Sequence, residues 1–136
     1  MPERKNRTPI DPSLGHLQPQ ATDLERTVLG ALMIDKDAFS VVSEILKPET
    51  FYEPRHEKIF RAIQTLSLAE RPVDLLTVTE ELRHEGTLAD IGGPAYIVEL
   101  TSHVASSANI EYHSRILAQK YLARELISYS SVIQTK

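Results

Sequence analysis

The chain has 136 residues, 41% hydrophobic and 25% charged, enough for one domain with a real core and outside the low-hydrophobicity regime of disordered chains. Its formal net charge of -4 argues against a surface devoted to phosphate backbones, which needs clustered Lys and Arg. The absence of cysteine excludes a disulfide framework, thiolate metal sites and thiol nucleophiles, and fits a cytoplasmic protein held together by packing.

No apolar run approaches the roughly 20 residues of a membrane span, and the charged start leads into no signal-peptide core. Residues 1–19 carry Pro2, Pro9, Pro12 and Pro19 among charged residues with little periodicity, so a disordered tail is expected there. Thr22 and Glu25 have the spacing of a capping box, which places the first helix start at Thr22. Leu24, Val28, Ala31 and Leu32 then recur at helical spacing. Asp35 to Asp37 punctuates before a second apolar set, Phe39, Val42 and Ile45, which Lys47 and Pro48 end.

A turn holding Phe51 and Tyr52 precedes a third helix opened by Pro54, whose Ile59, Phe60, Ile63 and Leu66 make one stripe before Arg71 and Pro72 stop it. Asp74 is the expected N-cap of a helix carrying Leu75, Val78 and Leu82, with Gly86 as its left-handed C-terminal cap. Gly92, Gly93 and Pro94 break the chain again before Tyr96, Ile97 and Leu100. Nothing alternates with strand period for long. The expectation is an all-α fold, a compact bundle of about six short helices followed by a long helix.

The last segment, from about Asn109, lacks Gly and Pro and is the longest uninterrupted helix candidate. At helical spacing its apolar residues fall on three sides: Tyr112, Ile116, Ala123 and Ile127; Leu117, Tyr121 and Val132; and Leu122, Leu126, Tyr129 and Ile133. A helix apolar nearly all round is buried on several sides. One side can dock on the head, but the remainder needs a partner helix that these residues do not contain, which points to a truncated hairpin and to self-association. The expected division is a tail over 1–19, a helical head over 20–105 and a hairpin's first helix over 106–136.

Candidate chemistry is sparse. Glu53 with His56, and Glu81 with His84, are Glu-x-x-His pairs of the kind that four-helix di-metal proteins use, with Glu25, Glu44 or Glu99 as further ligands. The predicted helices are short for enclosing two metals, and Glu81 and His84 equally suit a solvated face. There is no Gly-x-Ser-x-Gly elbow and no phosphate-binding Gly-x4-Gly-Lys-Ser/Thr loop; Ser106 and Ser107 read as caps of the long helix. Arg55, His56, Lys58 and Arg61 form a small basic cluster, but interleaved Glu53 and Glu57 favour an ion-paired surface over a DNA contact. Phe39, Phe51 and Phe60 read as core.

Five segments in order, Glu25 to Asp35 (ERTVLGALMID), Phe51 and Tyr52 with His56 to Phe60 (HEKIF), Pro72 to Leu76 (PVDLL), Gly92 to Leu100 (GGPAYIVEL) and Ser107 to Tyr112 (SANIEY), make the chain from Pro19 onward resemble the N-terminal domain of DnaB-type bacterial replicative DNA helicases. The resemblance implies a helical head and a helical hairpin, of which only the first long helix is present. It also implies a collar above a hexameric ring of ATPase domains, with hairpins pairing subunits and the C-terminal domain of primase docking on the collar.

By the same resemblance, Tyr96, Ile127 and Ile133 look like primase-responsive positions, although Ile127 and Ile133 also suit hairpin packing and Tyr96 suits an ordinary core. Leu117, Tyr121, Leu122, Leu126 and Tyr129 are assigned to self-association. No cofactor is expected in these residues; ATP and Mg belong to the parent's further domain, as does most DNA contact, and a helicase loader is a further partner. The rival readings are a stand-alone helical adaptor and a helical di-metal carboxylate protein.

Overall fold

The computed structural model describes residues 20–134, with side chains as far as Ser130; the tail expected over 1–19 lies outside the described residues. Within them five short α-helices and two 3-10 turns precede one long helix. The helices are α1 (Thr22–Ile34), α2 (Ala38–Val42), α3 (Pro54–Leu68), α4 (Leu75–Glu85), α5 (Gly93–Ser102) and α6 (Ile110–Gln134), with the turns at Pro48–Thr50 and Ala89–Ile91. The expected all-α head and long helix are both present.

Each short helix contributes one stripe to a single core. Val28, Leu29 and Leu32 of α1, Ile59, Phe60, Ile63 and Leu66 of α3, Val78 and Leu82 of α4, and Ile97 and Leu100 of α5 are all buried. Phe60 sits between Phe39 and Phe51, with ring centroids 5.9 and 5.1 Å away. Helix α1 is central, packing on α3, α5 and α6. Its contact with α5 is so close that a Cβ on Gly30 would run into the Leu100 carbonyl oxygen and lie 2.6 Å from Cγ2 of Val104.

Local signals set several helix ends. The Asp74 carboxylate accepts from the Thr77 amide at 2.9 Å while the Thr77 hydroxyl accepts from the Asp74 amide at 2.9 Å, so α4 has the reciprocal cap of a capping box. It ends at Gly86 with φ 79°, where the Thr87 amide reaches the Leu82 carbonyl at 3.0 Å, a Schellman closure. Helix α3 stops at Leu68, three residues before Arg71, because Glu70 adopts φ 58° and the Arg71 amide closes on the Leu66 carbonyl at 2.9 Å.

The capping box expected at Thr22 and Glu25 is not formed. Ala21 is the N-cap, with no side-chain cap, and the Thr22 amide donates to Oε1 of Gln20 at 3.2 Å. Glu25 instead points into the core, where stronger donors wait. Of the two serines expected to cap α6, Ser106 accepts from the Ala108 amide at 2.9 Å, whereas the Ser107 hydroxyl donates to the Asp35 carboxylate at the end of α1.

Gly30→Ala is expected to destabilise the domain by about 3 kcal/mol, the upper part of the usual overpacking range, since its nearest neighbour is backbone rather than a side chain that can swing away. Urea denaturation of the two proteins measures it.

Candidate association and docking surface

Helix α6 leads two lives along its length. Its first half is anchored to the head by Ile110, Ser114 and Leu117, all buried. One turn further on, Tyr121 is half-buried, with the Lys47 ammonium and the Arg124 guanidinium each 5.6 Å from its ring centroid. Arg124 also donates to the Thr50 carbonyl at 2.8 Å and lies 5.4 Å from the Tyr52 ring centroid, tying the helix to the turn before α3. Past Glu125 the anchoring stops: every described side chain from Leu126 to Ser130 is exposed.

The outward face of α6 is apolar where the head no longer covers it. Leu122, Leu126 and Tyr129 are 60%, 60% and 65% exposed and follow one another at spacings of four and three. Extended backwards, the same alternation passes through Gln119, Arg115 and Tyr112, the seam of a heptad repeat. An open depression of about 250 Å³, lined by Ile45, Arg115, Ala118, Gln119 and Leu122, continues this seam onto the head.

The site residues expected from the sequence separate in three dimensions. Leu122, Leu126 and Tyr129 share the uncovered seam. Tyr121 faces Lys47 and Arg124 at its edge. Ile127, 43% exposed, points to a different side, one residue past Leu126 and hence about 100° around the helix. The side chain of Ile133 lies outside the described residues. The assignment of Leu117 to self-association is corrected: at 1% exposure it is part of this chain's own core, because the face of α6 that carries it is the face that docks on the head.

Tyr96 is only 6% exposed and belongs to a polar cluster inside the head. The Glu25 carboxylate, 1% exposed, accepts from the Tyr52 amide at 2.6 Å and the Glu53 amide at 3.3 Å, and lies 2.7 Å from Nδ1 of His56. Nε2 of His56 is 2.6 Å from the Tyr96 hydroxyl. Glu53 is the N-cap of α3 and supplies no capping side chain, so Glu25 satisfies that helix start from another helix and places its negative charge at the favourable dipole end. The Arg55 guanidinium covers the Tyr96 ring at 3.9 Å and pairs with Glu53 at 3.1 Å. Burial pushes the Tyr96 phenol up from its ordinary pKa, and a hydrogen bond with Tyr96 raises that of the Arg26 guanidinium.

This cluster escaped the sequence reading, although a signal was present. Glu25 heads the spacing Glu25, Val28, Leu29, Leu32, and His56 heads His56, Ile59, Phe60, Ile63, so each polar residue lies on its helix's buried face. The same geometry bears on the Glu-x-x-His pairs. His56 is committed to Glu25 and Tyr96 on its two ring nitrogens, and among the described residues no group of three or more His, Asp or Glu could hold a metal ion. Arg55 with Glu53, and Arg61 with Glu57 at 3.0 Å, form the ion pairs that the interleaved charges suggested. Between α1 and α5 an open groove of about 460 Å³ is lined by Asp23, Arg26, Thr27, Glu99, Leu100 and His103. No helix among the described residues is long and apolar enough to cross a membrane.

Fold and surface together define a small all-α domain whose last helix projects as an arm with one apolar face uncovered. The chain belongs to the DnaB-like helicase N terminal domain family, which residues 17–119 match. It is 54% identical over 110 residues to the replicative DNA helicase DnaB of Rhodothermus marinus, covering 81% of this chain and 12% of that protein. With the replicative DNA helicase DnaB of Geobacillus stearothermophilus it shares 43% over 117 residues, 86% of this chain and 26% of that one. The chain thus spans only a small part of these relatives.

The crystal structure of the N-terminal domain of DnaB helicase from Mycobacterium tuberculosis superposes with a TM-score of 0.83 at 39% identity, over 87% of this chain and 83% of that one. A DnaB-like replicative helicase whose structure was described with its interactions with primase matches with a TM-score of 0.72 at 26% identity, over 85% of this chain and 27% of that one.

Two outcomes test this placement. Leu117→Ala is expected to cost about 2–5 kcal/mol as a core truncation, and Leu122→Ala less than about 0.5 kcal/mol as a surface change; thermal denaturation at a concentration where the chain is monomeric distinguishes them. The Ser107 hydroxyl and the Asp37 amide hold the Asp35 carboxyl below its ordinary pKa. That contribution is complete above the unfolded value, near about 3.9, and is lost as pH falls through the lower folded value. Ser107→Ala is therefore expected to flatten the acid limb of stability against pH, read from urea midpoints.

Proposed function

We propose that this chain is the N-terminal association and primase-docking domain of a replicative DNA helicase that unwinds duplex DNA at the replication fork with ATP. The whole-protein part of this reading rests on membership of the family and on the replicative helicases that share the sequence. In it the motor, with its ATP and Mg, and most of the DNA contact reside in a further domain, and the protein works in the cytoplasm. These residues contribute no catalytic group to the reaction.

The observation that carries the association part is the uncovered seam Leu122, Leu126, Tyr129 on the half of α6 that the head does not cover. Apolar side chains at alternating three- and four-residue spacing are covered in water by another helix, here from a second subunit or from a hairpin partner. Docking of the primase C-terminal domain is supported by the likeness to a DnaB-like helicase described with its interactions with primase. Tyr96 is buried, so its part in that docking is indirect, through the head surface it supports. Ile127 offers a direct contact on a side of α6 away from the seam. A helicase loader is the third partner in this reading.

Sedimentation equilibrium over a concentration range, alone and with the cognate primase C-terminal domain, tests the proposal. Reversible self-association and a complex with primase are the expected results. Leu126→Asp is expected to weaken self-association at least about tenfold, because it would bury an uncompensated charge, while shifting Tm by no more than a few degrees. A strict monomer indifferent to primase would favour a stand-alone helical adaptor.

A further inference from the structure

We infer that the surface where α6 crosses the turn before α3 is a contact for single-stranded nucleic acid, with Tyr52 as the stacking ring and Lys47 and Arg124 as the cations that meet phosphate. The inference is independent of primase docking and of what covers the α6 seam.

Four side chains far apart in the sequence build the site. The Lys47 ammonium and the Arg124 guanidinium each lie 5.6 Å from the centre of the Tyr121 ring, and Arg124 lies 5.4 Å from the centre of the Tyr52 ring. Cations and rings alternate along the row Lys47, Tyr121, Arg124, Tyr52, at distances where a ring attracts a cation. The row opens to solvent, since Lys47 is exposed and the Tyr52 side chain is 39% exposed. Its backbone is fixed: the Tyr52 amide donates to Glu25 at 2.6 Å, and Arg124 donates to the Thr50 carbonyl at 2.8 Å. Lys120, one turn before Arg124 on the same side of α6, adds a third cation.

The charges point to an anion. Two cations held against one ring repel each other, and an anion placed beside both relieves the repulsion. Among the described residues the Lys47 and Lys120 ammoniums form no ion pair. The carboxylates next to the row in sequence, Glu49 and Glu125, offset two of the three cations, so the contact is weak, in keeping with the chain's net charge of -4.

The ring selects among anions. A free phosphate or an acidic peptide would use the cations alone, whereas an unpaired base can lie on the exposed Tyr52 ring while its phosphates meet Arg124 and Lys47. That combination of a sequence-tolerant stacking surface and a cationic track is how single strands are held. A duplex keeps its base faces stacked inside and offers this row only its backbone.

Fluorescence anisotropy of a labelled oligothymidylate of about 15 nucleotides tests the site on the full chain. A dissociation constant of about 10⁻⁴ M in dilute salt is expected, with a slope of about -2 for log affinity against log salt, as three phosphate contacts give on a single strand. Lys47→Glu and Tyr52→Leu are each expected to weaken binding at least about fivefold, while Tyr52→Trp, which keeps a stacking face, holds or improves it. Lys36→Glu makes the same change in net charge at an exposed position beyond the end of α1, and is expected to alter affinity by less than about twofold if the site is local. Equal loss from Lys36→Glu, or competition by duplex DNA or polyglutamate as strong as by unlabelled single strand, overturns the proposal, as does the absence of binding. Amide shifts on titrating the oligonucleotide into the unaltered chain give a second reading that needs no variant. Shifts concentrated at residues 47–52 and 120–124 support the site, and shifts confined elsewhere refute it.

Discussion

A carboxylate taken out of water persists only where donors replace its hydration. In this chain the replacement for Glu25 comes from two backbone amides at the start of α3 and from His56. That single group joins α1 to α3 and, through His56 and Tyr96, to α5. It caps a helix that has no capping side chain of its own, and it fixes the turn carrying Phe51, whose ring packs on Phe60 at the centre of the core. The apolar stripes would collapse in several arrangements; a buried charge with three directional donors admits far fewer. In some proteins buried polar groups confer conformational specificity of this sort.

The same constraint bears on the arm. Because Glu25 holds the Tyr52 turn, Thr50 and Tyr52 present a fixed carbonyl and ring to Arg124, and α6 can lie across the head with Ile110, Ser114 and Leu117 inward. Close approach at Gly30 brings α5 against α1, and Ser107 ties the start of α6 to the end of α1 through Asp35. The head is therefore a platform with the arm's root clamped at two places, and its distal half left to solvent. Leu126 and Tyr129 are exposed because the head ends, not because their chemistry suits water.

That division of labour fits the proposed function. A domain that assembles subunits and receives a partner needs a rigid body and a surface whose completion comes from another chain, and α6 supplies both along one helix. The head's interior carries polar groups that join α1, α3 and α5 to one another. Family membership and shared sequence align these parts with the N-terminal domains of replicative helicases.

Much of this was written in the sequence. Helix ends at Pro54, Asp74 and Gly86, the core stripes of Phe60 and Leu82, and the long helix from Ile110 all follow from local rules, because caps, turn residues and helical periodicity act over a few neighbouring positions. The outward seam of Leu122, Leu126 and Tyr129 was legible for the same reason. Tertiary structure alone decided that Leu117 packs inward, since three apolar sides of one helix look alike until a head occupies one of them. It also decided the fate of Glu25, whose local partner for a capping box was Thr22 but whose carboxylate went to donors 27 to 31 residues away. A buried acceptor chooses the donors that desolvation leaves without water, and which amides those are is set only once the helices have packed.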